Sequence, residues 1–188
     1  MNIVIFRHGE TDWNVEGRLQ GSTDIPLNSK GLAQAAQLAR TLEHFEFDHI
    51  VSSDLSRAYE TAAAVARLHK LSVNKDTRLR ELGLGQAEGK TLKELELDYG
   101  ENPLANYEFK GRESKQSLVI RVNQLVVDLA SSGFKSVALS SHGGVVWNWL
   151  SQFSGAENVG RVHNTDAFEL EYIEGKVNYK SRISNNKN

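Results

Sequence analysis

Apolar positions along this chain alternate between short continuous runs and stretches spaced at helical intervals. Ile3, Val4, Ile5 and Phe6 form the first run, which suits a strand covered on both faces of a sheet. It breaks into Arg7, His8, Gly9, Glu10, Thr11, Asp12, Trp13 and Asn14. These polar residues are therefore expected at the carboxyl end of the strand, where open α/β sheets bind ligands. Val15 to Ser29, with Gly17, Gly21 and Pro26, reads as a loop folded over that end. Leu32, Ala35, Ala36, Ala39 and Leu42 then share one helical face, predicting an amphipathic helix from Ser29 to about Phe45 with Asn28 or Ser29 as N-cap.

The alternation repeats twice. Ile50 and Val51 predict a short strand, and Ser52, Ser53 and Asp54 are cap-type residues before a helix carrying Leu55, Arg57, Tyr59, Ala62, Ala63 and Ala66. Arg57 falls in its first turn, where free N–H groups and the helix dipole favour anions. Leu71 to Gly89 is irregular, with a strand at Leu71 to Asn74; Thr91 to Tyr99 predicts a short helix, and Gly100 to Ser114 a mobile insertion. Leu118, Val122, Leu125, Val126 and Leu129 form the next helix, ended by Gly133. Val137, Ala138 and Leu139 then run into Ser140, Ser141, His142, Gly143 and Gly144, followed by a buried helix carrying Val145, Val146, Trp149, Leu150 and Phe153. Ala167 to Tyr172, a turn at Glu174 and Gly175, and a return through Val177 and Tyr179 predict a terminal hairpin. Asn185 to Asn188 is expected to be a disordered tail.

Composition narrows the classes. With 188 residues, 39% hydrophobic and 24% charged, the chain is expected to be one domain of a soluble protein. A formal charge of −2 from 22 basic and 24 acidic side chains argues against a broad nucleic-acid surface. The absence of cysteine removes disulfides, thiolate metal sites and thiol nucleophiles. No window reaches the roughly 18 apolar residues of a spanning helix, and no leader pattern opens the chain, so the expectation is a cytoplasmic protein without a membrane partner.

Three predicted strand ends carry Arg7 with His8, Arg57, and His142. If the strands are neighbours, these side chains meet in one crevice. Two guanidinium forks suit a phosphoryl or carboxylate group, with phosphate the better match.

The stretches RHGET from Arg7, SSDLSRAYETA around Arg57, RELGLGQAEGKT around Glu81, GRES at Gly111 to Ser114 and SSHGG around His142 resemble the histidine phosphatase superfamily, in the family's order and over nearly the whole chain. The resemblance implies a three-layer α/β/α sandwich with a mostly parallel central sheet. It also implies a reaction in which His8 attacks phosphorus, Arg7, Arg57 and His142 hold the equatorial oxygens, and Glu81 protonates the leaving oxygen before activating water. Asn14 matches an additional phosphate contact, Gln20 and Gly21 a pocket-lining loop, and Gly143 a further substrate contact. No cofactor and no metal are implied. A metal site from His8 and His142 has no HxxxH-type spacing behind it.

The text after the acid, ELGLGQAEG, and the short insert before GRES favour the phosphatase branch over phosphoglycerate mutases. A noncatalytic phospholigand-binding module is the third class, and the intact His8 and Glu81 count against it. The expected substrate is a small phosphate ester, α-ribazole phosphate among them. A lid at about 90–115 would roof the pocket, with Tyr99, Tyr107, Phe109 and Arg112 as contacts. His44, His49, His69 and His163 match no motif and are expected in surface or interface roles. Trp147 and Trp149 are expected in the core or pocket wall.

Overall fold

A computed structural model describes residues 1–157 and 159–183. Its centre is a six-stranded sheet ordered β3-β2-β4-β1-β5-β6. The strands are β1 (Asn2–Arg7), β2 (His49–Ser52), β3 (Val73–Lys75), β4 (Ser136–Ser141), β5 (Ala167–Ile173) and β6 (Lys176–Ile183). The first four in that spatial order run parallel, while β5 is antiparallel to β1 and β6 to β5.

The two-residue alternation of a strand divides the apolar run of β1 between two cores. Ile3 and Ile5 pack with Val137, Leu139, Leu118, Leu125, Val146 and Trp149. Val4 and Phe6 pack on the opposite face with Leu38, Ala62, Val65 and Ala138. Helices α2 (Ser29–Thr41) and α3 (Ser56–His69) therefore cover one face, and α6 (Lys115–Ser131) and α7 (Gly143–Leu150) the other. The chain is the expected α/β/α sandwich with a mostly parallel sheet. Three short helices, α1 (Asp12–Glu16), α4 (Leu92–Tyr99) and α5 (Pro103–Asn106), lie in the connections.

Register brings the predicted strand ends together. Arg7 pairs with Ser141, and Ser52 with Ser140. β1, β4 and β2 are contiguous, so their carboxyl ends open on one crevice.

Several local expectations differ. Helix α2 stops at Thr41 because the chain tightens through successive turns at 42–45, which folds Phe45 back against Phe47. Helix α3 is not capped by Ser52, Ser53 or Asp54. Leu55 occupies the N-cap position, and Asp24 of the preceding loop accepts from the Ser56 N–H and hydroxyl, both at 2.8 Å. Asp54 instead pairs with Arg80. Strand β3 lies at Val73–Lys75, not Leu71 to Asn74, and β6 continues beyond Tyr179 to Ile183. Gly100 to Ser114 contains α5 and is anchored by a small core of Ala87, Leu95 and Phe109. The proposed tail at Asn185 to Asn188 lies outside the described residues.

Candidate active site

His8 leaves the sheet at the end of β1. Its backbone N–H donates to Ser141 O at 3.0 Å, and its Nδ1 lies 2.6 Å from Gly9 O. A carbonyl only accepts, so Nδ1 carries the ring proton and Nε2 keeps its lone pair. The turn that holds this ring packs backbone to backbone against the first turn of α2. A Cβ on Gly9 would stand 2.5 Å from Gly31 O, and one on Gly31 2.0 Å from Glu10 O. The Gly9 N–H donates to the buried Thr61 hydroxyl at 3.1 Å, which itself donates to Arg57 O.

Two arginines flank the ring. Arg7 donates through Nη1 to Val162 O at 2.9 Å. Arg57 is fully buried and donates to Thr23 O at 2.8 Å and Gly21 O at 2.9 Å. Burial lowers the Arg57 pKa to about 10, partly opposed by the Glu81 carboxylate, so the side chain is still a cation at pH 7. The Nε atoms of both arginines are buried without a protein partner, a rare condition that marks strain or function.

His142 follows β4, with Nε2 2.9 Å from Ser53 Oγ and Nδ1 unpartnered. Its ring centroid is 5.1 Å from that of His8, nearly edge to face. Glu81 reaches the start of α7, where its carboxylate accepts from the N–H groups of Gly144 at 3.0 Å and Val145 at 3.1 Å, and from its neighbour Leu82 at 2.8 Å. The paired glycines explain themselves: a Cβ on Gly144 would stand 2.5 Å from Glu81 Oε1, and one on Gly143 3.2 Å from Arg7 Nε.

The two arginines, Glu81 and His8, but not His142, which is buried behind the His8 ring, border a cavity of about 270 Å³ lined by Arg7, His8, Asn14, Arg18, Leu19, Gln20, Gly21, Arg57, Glu81, Leu82, Leu84 and Gly144. Asn14, Gln20 and Gly21 line it. Gly143 does not, since it packs on Arg7 and Gly144 takes the lining position. Tyr99, Tyr107 and Phe109 are also off the wall, packed against one another at tilted and edge-on angles, and Arg112 donates to Leu104 O. Leu19, Leu82 and Leu84 are the apolar wall instead. Trp149 is core, with Nε1 donating to Asn123, whereas Trp147 is 45% exposed beneath Lys115. His44, His49, His69 and His163 do not line the cavity; His49 stacks on Phe134.

Sequence reasoning passed over the supports. Glu88 accepts from the Ser22 and Leu84 N–H groups at 3.0 Å and from the Thr23 N–H and hydroxyl. It thereby holds the loop whose carbonyls fix Arg57. Asn164 donates to His8 O and to Asn14 Oδ1. Only the position of Glu88 within the RELGLGQAEGKT stretch could have signalled it. Among the described residues no group of three or more His, Asp or Glu side chains is placed to hold a metal ion, and no helix is long and apolar enough to cross a membrane.

Burial, reinforced by the charges of Arg7 and Arg57, holds both His8 and His142 well below the ordinary histidine value of 6.5. In the unfolded chain these imidazoles take up protons as pH falls through 6.5, and in the folded chain they do not. The stability they contribute is complete above that value and declines below it, by up to about 1.4 kcal/mol per pH unit for each ring. His49 and His69, lowered by partial burial, act with the same sign. Urea unfolding at pH 7.5, 6.5 and 5.5 should show a falling free energy; equal values at all three would contradict the assignment.

A three-layer sandwich that brings two histidines and two arginines to one end of its sheet fits a phosphoryl-binding class of protein. The chain belongs to the histidine phosphatase superfamily (branch 1), whose family model matches residues 3–184. A probable phosphoglycerate mutase, GpmB, of Escherichia coli is 40% identical over 129 residues, covering 65% of this chain and 60% of that protein. The match thus spans well under two thirds of that relative's length. Among solved structures, mycobacterial glucosyl-3-phosphoglycerate phosphatase in complex with VO3 is 31% identical with a TM-score of 0.85, covering 95% of this chain and 96% of that one. The alpha-ribazole phosphatase of Shigella flexneri is 26% identical, also with a TM-score of 0.85, covering 98% and 97%.

Proposed function

We propose that this protein is a cytoplasmic phosphomonoesterase that hydrolyses a small phosphorylated metabolite through a phosphohistidine on His8, without a metal. One observation carries the reading: the His8 ring is pinned through Nδ1 to Gly9 O, so its Nε2 lone pair is available in a cavity shared with Arg7 and the buried Arg57. Nε2 forms a bond to phosphorus as the bond from phosphorus to the ester oxygen breaks, and Glu81 delivers a proton to that oxygen. The ring becomes positively charged, with its Nδ1–H still directed at the Gly9 carbonyl. Water then attacks phosphorus, gives its proton to Glu81 and releases phosphate and neutral His8. Arg7, Arg57 and His142 place positive charge and donors around the transferring group, where phosphoryl transfer gains most of its rate. Glu81 accepts through both oxygens here, so delivering a proton requires the carboxyl group to turn from the α7 terminus. Asn14, Gln20 and Gly21 contact the substrate.

The phosphatases named among the solved structures support hydrolysis, and the esters in those names are candidate substrates. The decisive experiment is brief exposure to ³²P-labelled substrate followed by alkaline quench. Acid-labile label on the peptide containing His8 is expected; label elsewhere, or none during active turnover, overturns the reading. The name of the Escherichia coli relative favours a second reading, a cofactor-dependent phosphoglycerate mutase. Conversion of 3- to 2-phosphoglycerate stimulated by 2,3-bisphosphoglycerate would support it over hydrolysis.

A further inference from the structure

The cavity wall beyond the phosphate-facing groups has a distinctive chemistry. Its apolar part is Leu19, Leu82 and Leu84, and its remaining cation is Arg18. That cation is already committed. Nε pairs with Glu16 at 2.7 Å, and Nη1 donates to Gly89 O at 2.8 Å and faces Glu94 at 3.2 Å. Two carboxylates for one guanidinium leave the cluster with a surplus negative charge, carried by Glu16 and Glu94 just off the wall. The nearby Lys90 and Arg112 are also engaged, by Asp98 and by Leu104 O, and neither lines the cavity. An anionic group on the alcohol portion of a substrate would meet leucines and a guanidinium already paired with two carboxylates. Gln20, whose buried side-chain oxygen has no protein partner, offers the wall an unused hydrogen-bonding group.

We infer that the alcohol portion of the substrate is uncharged and partly apolar, and that the Glu16–Arg18–Glu94 cluster sets this preference against carboxylated esters. The inference rests on the phosphatase reading and narrows it to a substrate class. A cavity of 270 Å³, just below the usual range of about 300–1,000 Å³ for small-molecule sites, fits one ring system beyond the phosphate.

Two aryl phosphates of nearly equal shape test it, 4-carbamoylphenyl phosphate and 4-carboxyphenyl phosphate. The wild-type protein should favour the carbamoyl ester in kcat/KM by about tenfold, the size of one close charge interaction at a partly exposed site. The double variant Glu16→Gln/Glu94→Gln frees Arg18, and glutamine at position 94 preserves the capping box that Glu94 makes with Thr91. In it the ratio should shift severalfold toward the carboxylate. Because intrinsic leaving-group differences cancel between the two proteins, the shift reports the wall. A wild-type ratio near one or favouring the carboxylate, or a ratio the double variant leaves unmoved, overturns the inference. Release of phosphate from neither ester by the wild-type protein would count against hydrolysis. The substrate-class inference would then be decided by the dissociation constants of the two esters, where tighter binding of the carboxylate by the wild-type protein overturns it.

Discussion

Replacing His8 with alanine should lower kcat/KM for any productive phosphate ester by roughly 10⁴-fold or more, the scale seen when a covalent nucleophile is removed and only binding and electrostatics remain. Among the described residues no other imidazole or thiol lines the cavity. The other imidazole, His142, is tied through Nε2 to Ser53 Oγ, and the chain has no cysteine. Ester binding should weaken much less, because Arg7 and Arg57 are held by Val162, Gly21 and Thr23 carbonyls and not by His8. The measurement is steady-state turnover with p-nitrophenyl phosphate beside the dissociation constant of a nonhydrolysed phosphonate. Retention of activity within tenfold of wild type, in a variant whose circular dichroism is unchanged, would remove His8 as the nucleophile.

The second large effect is expected at Arg57. Alanine there should cost about 10³- to 10⁵-fold in kcat/KM, the range by which a single arginine stabilises charge in phosphoryl transfer. It should also destabilise the fold, because Gly21 O and Thr23 O lose their donors in a buried setting, at about 1–3 kcal/mol for each group left unsatisfied. Arg57→Lys separates the two consequences. A lysine can reach one carbonyl and keeps the charge but cannot form the planar fork, so it should recover much of the stability and little of the rate. A lysine variant with wild-type kcat/KM would show that charge alone, and not fork geometry, is what the site needs.

The legible part of this protein was the part written locally. Apolar runs ending in Arg7–His8 and in Ser140–Ser141–His142 marked two strand ends, and helical spacing marked α2, α3, α6 and α7 to within a few residues. The family motifs pointed at His8, Arg57, Glu81 and His142; the structure sets the first three on one cavity with Arg7, and His142 off its wall against the His8 ring. Glu88 was not legible, since a glutamate four residues from Leu84 looks like any surface carboxylate until the 20–24 loop is folded onto it. Asp24 capping α3 across 32 residues is the same kind of case. The aromatic residues of 99–109 misled for a related reason: here the rings pack against one another around the buried Phe109 and do not line the cavity.

Sequence alone therefore determined the α/β class, the approximate elements and the chemical identity of the candidate site. Periodicity and local turn chemistry depend on neighbours only a few residues away. Tertiary structure decided that β2, β4 and β1 lie side by side, that Glu81 reaches the α7 terminus past Gly144, and that Arg18 is neutralised by Glu16 and Glu94. Except for Arg18 with Glu16, these are contacts between residues dozens of positions apart. Their energies exist only once chain entropy has been spent to close the loops between them.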